Sequence, residues 1–244
     1  MTGAAAGQTT EALPGWLAPL ASALLDADRL SRVVAVRPGM GARPAAVLVL
    51  IGLGPEGPQI LFVERAATMR THAGQIALPG GAVDPDDVGA AGAALREAAE
   101  EAGVDPSGVT VLGWLPPTHV AVSGFDVTAV VAWWRTPGPV RAMDPREVAA
   151  LHLVPVSELV DPAHRVQVQH PMGYTGPGFE VRGLLIWGLT AHLVDGVLEL
   201  AGWQRPWDRS RVATIPARFL RDRRGAPGRI PPDPNDEPGG PDAH

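Results

Sequence analysis

Two linked runs of sequence decide the fold of this chain: Gly80-Gly81-Ala82-Val83-Asp84-Pro85-Asp86-Asp87 and Ala94-Leu95-Arg96-Glu97-Ala98-Ala99-Glu100-Glu101-Ala102-Gly103. The second run has the pattern of a helix with two different faces. At about 100° per residue, its alanines and leucine gather on one side, where small side chains allow close packing on a sheet. Glu97, Glu100 and Glu101 share an arc of about 100° on the other side.

The three carboxylates of this helix repel one another. Two unit charges about 5 Å apart repel by roughly 3 kcal/mol at an effective dielectric constant of about 20. Arg96 can pair with Glu100 four residues later, but the helix offers no obvious partner for Glu97 or Glu101. Such a cluster is either a solvated acidic face or a set of oxygen ligands for a hard divalent cation.

The residues around the helix favour the cation. Pro79-Gly80-Gly81 forms a loop whose backbone can approach a ligand closely. We expect Asp86 or Asp87 to cap the first turn of the helix, and Gly103 is suited to end it. A glycine loop, a capped helix and a carboxylate cluster within about two dozen residues therefore predict a metal site rather than a merely solvated face.

The stretch resembles the Nudix box, G-x5-E-x7-R-E-U-x-E-E-x-G-U, in which U is an apolar residue. Residues 96–104 match the second half of this pattern position by position. In the first half, Gly81 and Arg96 are fifteen positions apart, one more than in the pattern, and an aspartate, which we assign as Asp87, replaces the leading glutamate.

This resemblance implies an α/β fold of the Nudix type, an α/β/α sandwich with a mixed central sheet. It also implies a diphosphatase that uses Mg²⁺ or Mn²⁺. The metal would be held by Glu97, Glu100, Glu101 and the carbonyl group of Gly81, and Arg96 would orient Glu100. Together these are the predicted catalytic and metal-binding residues.

A second motif precedes the box: Leu61-Phe62-Val63-Glu64-Arg65-Ala66, then Arg70, Gly74 and Leu78-Pro79-Gly80-Gly81. Its spacing is similar to the signature L-L-T-x-R-S-x3-R-x3-G-x3-F-P-G-G of the coenzyme A diphosphatases of the Nudix superfamily. The guanidinium groups of Arg65 and Arg70 could each bind phosphate oxygens in a bidentate manner. In the alternative interpretation, one arginine pairs with Glu64 or with a carboxylate of the box.

The predicted substrate-binding residues are Arg65, Arg70, His72, Gly80 and Gly81, although His72 could equally be a solvated loop residue. The resemblance covers roughly residues 40 to 200 and implies hydrolysis of coenzyme A or acyl-CoA to 4′-phosphopantetheine and adenosine 3′,5′-bisphosphate. A carboxylate of the cluster, or Glu147 outside it, would take the proton of the attacking water. Glu147 could instead be a capping or solvated residue.

Two other functions stay open. One is hydrolysis of a different nucleoside diphosphate derivative, such as ADP-ribose or a dinucleotide. The other is a Nudix-like ligand-binding module without catalysis, against which the three intact acids argue.

Composition excludes several classes of protein. The chain has 244 residues, 45% of them apolar, and a net charge of −6 without a long Lys/Arg run, so we expect neither a nucleic-acid nor a membrane partner. It has no cysteine, which excludes disulfides and zinc–thiolate sites. Without an apolar run of about 20 residues or a basic signal sequence, we expect a cytoplasmic location. The sequence leaves open whether the chain forms a homodimer.

Hydrophobic periodicity predicts strands, a helix, more strands and a second long helix, hence a mixed sheet between helices. We expect a hairpin from residues 45–51 and 59–64, further strands at 75–78, 109–115, 126–134 and 148–155, alternation at 165–170, a loop at 116–119, and helices at 19–30 and 184–200. Residues 1–13 and 221–244 should be disordered, which leaves 14–220 as a single domain.

Overall fold

The computed structural model describes residues 12–33, 43–69, 71–120, 123–170, 173 and 175–220. Residues 1–11 and 221–244 of the predicted disordered ends lie outside these ranges. The described α-helices are α1 (Ala18–Ala23), α2 (Ala27–Val33), α3 (Gly89–Ala102), α4 (Val156–Leu159) and α5 (Gly188–Leu200). No helix in these ranges is both long and apolar enough to cross a membrane.

The described strands are β1 (Arg43–Gly54), β2 (Gly57–Arg65), β3 (Ile76–Ala77), β4 (Gly80–Ala82), β5 (Val109–Trp114), β6 (Thr118–Val120), β7 (Phe125–Trp134), β8 (Val148–Pro155), β9 (Arg165–Gln169), β10 (Thr175–Val181), β11 (Leu184–Ile186) and β12 (Val212–Thr214). Short 3-10 helices cover Gly15–Leu17, Pro106–Gly108, Pro162–His164 and Ala217–Phe219.

A mixed sheet forms the centre of the described domain, with β1 in its middle. Its strand order is β3-β2-β1-β7-β5, while β4, β6 and β8 pair with β1, β7 and β2. β1 is parallel to β7 and antiparallel to β2 and β4. The predicted hairpin is confirmed, because β1 and β2 are joined at a turn where Gly54 lies opposite Gly57.

Helices cover both faces of this sheet. Alternate residues of β1 point to opposite faces. Leu48 and Leu50 are buried in one cluster with the alanines of α3, which are Ala93, Ala94, Ala98 and Ala102. Val49 and Ile51 are buried on the other face with residues of α1 and α5. The predicted α/β/α sandwich with a mixed central sheet is therefore confirmed.

A second, smaller sheet adds a feature that the sequence analysis does not predict. Its order is β11-β10-β9-β12, and β12 runs parallel to β9. Phe179 and Val181 of β10 join the buried cluster that contains α5. The strands also contribute to a separate cluster formed by Val166, Val168, Ala213 and Ile215. The domain therefore has a second sheet besides the central one. Residues of α5 and of both sheets belong to the same buried hydrophobic cluster.

Three predicted element boundaries are wrong. The helix predicted at 184–200 begins at Gly188, because the apolar residues before it form β11. The helix predicted at 19–30 is interrupted after α1, and the Asp26 carboxylate caps α2 by accepting hydrogen bonds from the amides of Asp28 (3.0 Å) and Arg29 (3.1 Å). The loop predicted at 116–119 contains the start of β6.

Replacing Ala98 with leucine tests how closely α3 packs on the sheet. The Ala98 side chain is fully buried, and extra methylene groups in a filled core cost about 1–3 kcal/mol. We expect Ala98→Leu to lower the free energy of unfolding by that amount in urea denaturation. Ala149→Leu, at an exposed position of β8, is the control and should change it by less than about 0.5 kcal/mol. Equal effects of the two variants would contradict the close packing.

Candidate active site

β4 and α3 bring the glycine-rich turn and the acidic face of the helix together. In β4, Gly81 lies opposite Ala46 of β1, and Gly80 lies opposite Val47. α3 ends at Gly103, whose φ of 69° is left-handed and whose amide donates to the Ala99 carbonyl at 3.0 Å. The predicted helix end is confirmed, since glycine adopts this conformation without strain.

The predicted cap at the start of α3 is wrong. Val88 precedes the helix, and no side chain caps its first turn. The carboxylate of Asp87 instead accepts a hydrogen bond from the Asp84 amide at 2.8 Å and contacts Arg96. Asp87 therefore fixes the turn before the helix rather than the first helical amides.

Arg96 is the central cation of the acidic face. Its Nε and Nη2 atoms donate to the two oxygens of Asp87, each at 3.1 Å, and Nη2 also donates to the Ala82 carbonyl at 3.1 Å. Its Nη1 atom donates to Glu97 Oε1 and Glu100 Oε2, each at 3.0 Å. The expected Arg96–Glu100 pair is confirmed. The expectation that Glu97 lacks a partner in the helix is wrong, because the long arginine side chain reaches its neighbour.

This pairing holds the charges in place. The hydrogen bond from Arg96 lowers the pKa of the Asp87 carboxyl group, and the same contact raises the pKa of Arg96 above its usual value. Both groups therefore stay ionised at neutral pH. The sequence analysis missed this role of Asp87, although its place at the leading acid of the box was the available signal.

Glu101 is the most buried carboxylate of the described residues, with 7% of its surface exposed. Its Oε2 atom accepts a hydrogen bond from the Gly80 amide at 3.1 Å. Burial raises the pKa of Glu101 to about 7; the Gly80 hydrogen bond and the charge of Arg65 oppose this shift, and the charges of Glu97 and Glu147 add to it. In the absence of a cation, the ionised form is therefore disfavoured.

Glu97 lies against the same glycine turn. A Cβ atom at position 81 would collide with the Glu97 carboxylate where it now lies, so glycine allows this close approach. Burial raises the pKa of Glu97, while the hydrogen bond from Arg96 opposes the shift. Glu100, by contrast, has a side chain that is 59% exposed. The structure thus brings Glu97 and Glu101 to the glycines and leaves Glu100 at the surface.

The register of β4 distinguishes the two glycines. The Leu48 amide donates to the Pro79 carbonyl and the Val83 amide donates to the Pro44 carbonyl. Since hydrogen-bonded pairs alternate in an antiparallel ladder, the Gly81 carbonyl is directed toward β1, not toward the acids as predicted. Gly80 lies in a non-hydrogen-bonded pair, so its amide reaches Glu101 and its carbonyl is directed to the same side.

Arg65 ends β2 beside these acids. Its Nε atom is buried and has no hydrogen-bond partner in the described part of the chain, and its charge lowers the pKa of Glu101. Glu64, the alternative partner from the sequence analysis, pairs instead with His152, with Oε2 and Nε2 3.0 Å apart. The charge of Arg65 therefore acts on the site, and the adjacent residue Glu64 is paired elsewhere.

The other predicted site residues are Arg70, His72 and Glu147. Arg70 lies outside the described residues. His72 has a φ of 55°, and its Nδ1 atom is 3.2 Å from Gln75 Oε1, so it has a partner within the loop. Glu147 is exposed, its carbonyl accepts a hydrogen bond from the Ala66 amide at 2.8 Å, and its charge acts on Glu101.

The donor set suits a hard cation that also binds a ligand. Among the described residues, no group of three or more His, Cys, Asp and Glu side chains is arranged to hold a metal alone. Glu97 and Glu101 both lie against the glycine turn, and the strand register directs the Gly80 carbonyl to the same side. Two carboxylates and a carbonyl leave positions for water and phosphate oxygens, as Mg²⁺ prefers. The site therefore fits a cation shared with a substrate better than a closed structural metal centre.

Burial of Glu101 should destabilise the metal-free protein at alkaline pH. Its folded-state pKa of about 7, against a usual value of 4.5, means that stability falls as pH rises from 4.5 to 7 and stays low above it. The variant Glu101→Gln has a neutral side chain at every pH, so it does not lose stability in this way. We expect the free energy of unfolding of this variant, relative to that of the wild type, to rise by up to about 3 kcal/mol between pH 4.5 and pH 8.

This pH dependence can be measured by urea unfolding in the presence of EDTA. Glu199→Gln, at an exposed position of α5, is the control and should show no such gain. A difference between Glu101→Gln and the wild type that is the same at both pH values would contradict the raised pKa.

Comparisons with known proteins agree with this geometry. A family model described as NUDIX domain matches residues 42–172. An uncharacterized Nudix hydrolase NudL from Cronobacter sakazakii is 42% identical over 183 residues, which cover 70% of this chain and 92% of the relative. NudL from Escherichia coli K12 is 38% identical over 179 residues, covering 68% of this chain and 90% of the relative.

Solved structures of the same type are more distant. The Nudix hydrolase RenU of M. smegmatis is 22% identical with a TM-score of 0.45, covering 69% of this chain and 91% of that one. The NUDIX domain of Shewanella oneidensis NrtR, complexed with ADP ribose, is 19% identical with a TM-score of 0.40, covering 55% of this chain and 85% of that one. From the family match and the NudL relatives, this chain belongs to the Nudix hydrolase family and is a diphosphatase, in a family whose members generally use divalent metal cations.

Proposed function

We propose that this enzyme cleaves the diphosphate bond of coenzyme A or an acyl-CoA to give 4′-phosphopantetheine and adenosine 3′,5′-bisphosphate. The observation that carries the proposal is the position of Arg65. This first arginine of the upstream motif has a buried Nε atom without a partner in the described residues, and its charge acts on Glu101. A half-buried arginine with an unpaired Nε beside a carboxylate site is suited to bind a phosphate group there.

The proposed cofactor is Mg²⁺ or Mn²⁺. Glu97 and Glu101 would supply carboxylate oxygens, and the register favours the Gly80 carbonyl over that of Gly81 as the backbone ligand. Glu100, which is more exposed, would complete the set from the surface side. When bound, such a cation neutralises diphosphate oxygens and lowers the pKa of a water molecule.

The chain's own residues would then divide the remaining work. Arg65 binds a phosphate oxygen, with Arg70 and His72 as further proposed contacts from the same segment. Arg96, fixed by Asp87, keeps Glu97 from rotating away from the glycines. The proton of the attacking water passes to a carboxylate, for which Glu147 is a candidate because it is exposed and close enough to influence Glu101.

The substrate class follows from the number of anionic groups. Coenzyme A carries a diphosphate and a separate 3′-phosphate, and two arginines of the upstream motif would serve two such groups.

We also propose that residues 14–220 form one catalytic domain and that the enzyme is cytoplasmic, where a cofactor of this kind is used.

The assignment of substrate can be tested by incubating the full-length enzyme and Mg²⁺ with coenzyme A, dephospho-coenzyme A, ADP-ribose and a dinucleotide in parallel. Mass spectrometry should detect 4′-phosphopantetheine and adenosine 3′,5′-bisphosphate from coenzyme A. We expect the kcat/KM for dephospho-coenzyme A to be at least about tenfold lower, because it lacks the 3′-phosphate. A preference of the same size for ADP-ribose or the dinucleotide over coenzyme A would overturn the assignment.

Neutralising either Glu97 or Glu101 should stop catalysis without unfolding the protein. Glu97→Gln and Glu101→Gln keep the shape of the side chain and its capacity to accept a hydrogen bond, but lose the charge that a cation needs. We expect each to lower kcat by at least about 100-fold, with far-UV circular dichroism unchanged. Glu199→Gln serves again as the exposed control. Turnover like that of the wild type in Glu97→Gln or Glu101→Gln would contradict the proposed metal site.

A further inference from the structure

The segment that follows the second sheet reaches back to the edge of the active site. After β12, the short helix Ala217–Phe219 places the Phe219 ring against the small cluster of Val166, Val168, Ala213 and Ile215. The ring also approaches Gly74, where an added Cβ atom would be 3.4 Å from Phe219 Cε1. The Phe219 carbonyl accepts a hydrogen bond from Gln75 Nε2 at 3.2 Å.

Gly74 and Gln75 are joined directly to Arg65. The Gly74 amide donates to the Arg65 carbonyl, and the Arg65 amide donates to the Gln75 carbonyl, each at 3.0 Å. The backbone of Arg65 is therefore held on both sides by the two residues that Phe219 contacts. The turn has little regularity of its own, since Gly74 has a φ of 67° and His72 a φ of 55°.

We propose that Phe219 is a positioning residue for substrate recognition, which acts through Gly74 and Gln75 on the direction of Arg65. This inference rests on the proposed role of Arg65 in binding a phosphate of the substrate. It assigns a function to the second sheet, because the small cluster of that sheet supports the Phe219 ring. The sequence motifs of the family do not indicate this role, since Phe219 lies outside residues 42–172, which the family model matches.

The contacts predict an effect on binding rather than on chemistry. Glu97, Glu101 and Gly80 belong to α3 and β4, whereas Phe219 contacts Gln75, Gly74 and the small cluster of the second sheet. Without the ring, the 71–75 turn gains freedom and Arg65 is held less well for its phosphate. Small misplacements of a binding group reduce its contribution strongly, so we expect Phe219→Ala to raise KM about 5- to 20-fold and to change kcat by less than about twofold.

The experiment uses steady-state kinetics of the full-length enzyme with Mg²⁺. The substrate is the nucleoside diphosphate derivative that the wild type hydrolyses best, so a failure of the coenzyme A assignment does not remove the test. Leu220→Ala changes an exposed apolar neighbour and should leave KM unchanged. Phe219→Leu keeps much of the apolar contact and should restore KM to within about threefold of the wild type.

A double-mutant cycle separates positioning from a general structural role. In an Arg65→Gln background, whose own KM is already raised, Phe219→Ala should have little further effect, because the residue it positions is absent. A full 5- to 20-fold increase in that background would overturn the proposal, and so would an unchanged KM in the single variant. If Phe219→Ala does not fold, Phe219→Val, which removes the ring but leaves a smaller cavity, takes its place in the cycle.

Hydrogen exchange gives a readout that does not depend on any substrate. The Gly74 amide, bonded to the Arg65 carbonyl, should exchange faster in Phe219→Ala than in Leu220→Ala. Equal exchange in both variants would show that the ring does not hold the turn and would reject the inference independently of the kinetics.

Discussion

Burial of Glu101 beneath the glycine turn is the constraint on which the rest of the site depends. An ionised carboxylate that is 7% exposed is costly without compensation, and the Gly80 amide supplies one hydrogen bond. The close approach comes from small residues on both sides. A Cβ atom at Gly80 would collide with the Ala46 carbonyl, and Ala98 and Ala102 of α3 are fully buried. The residues that allow tight packing are therefore also the ones that bury the acid.

The carboxylates of the site are compensated to different degrees by neighbouring positive charges and hydrogen bonds. Arg96 offsets Asp87, Glu97 and Glu100 by direct hydrogen bonds, whereas Glu101 receives one backbone hydrogen bond and the charge of Arg65. Negative charge is thus least compensated where Glu97 and Glu101 face the glycines. Burial raises the pKa of both groups, and the charges of neighbouring carboxylates add to the shift, so a cation at that place would favour their ionised forms.

The sequence predicts α3 better than it predicts the second sheet. The helical spacing of the acids and the glycine at its end identify α3, because periodicity and capping are local properties. The second sheet is not predicted: β10 contains Gly176-Pro177-Gly178, residues that normally interrupt strands, and the short apolar run of β11 cannot be told from a helix by pattern. The direction of the Gly81 carbonyl depends on strand register, which needs the partner strand. The contact of Phe219 with Gly74 joins residues 145 positions apart, and no local pattern signals it.

In the proposed function, the acids and the phosphate-binding arginine are supported by different parts of the fold. The acids depend on α3 and β4, which pack on the central sheet through alanines. Arg65 depends on the turn before β3, which is braced by a segment leaving the second sheet. In the proposed function, a change in the second sheet would therefore act on binding through Arg65, whereas the acids are held by a helix and a turn that pack on the central sheet.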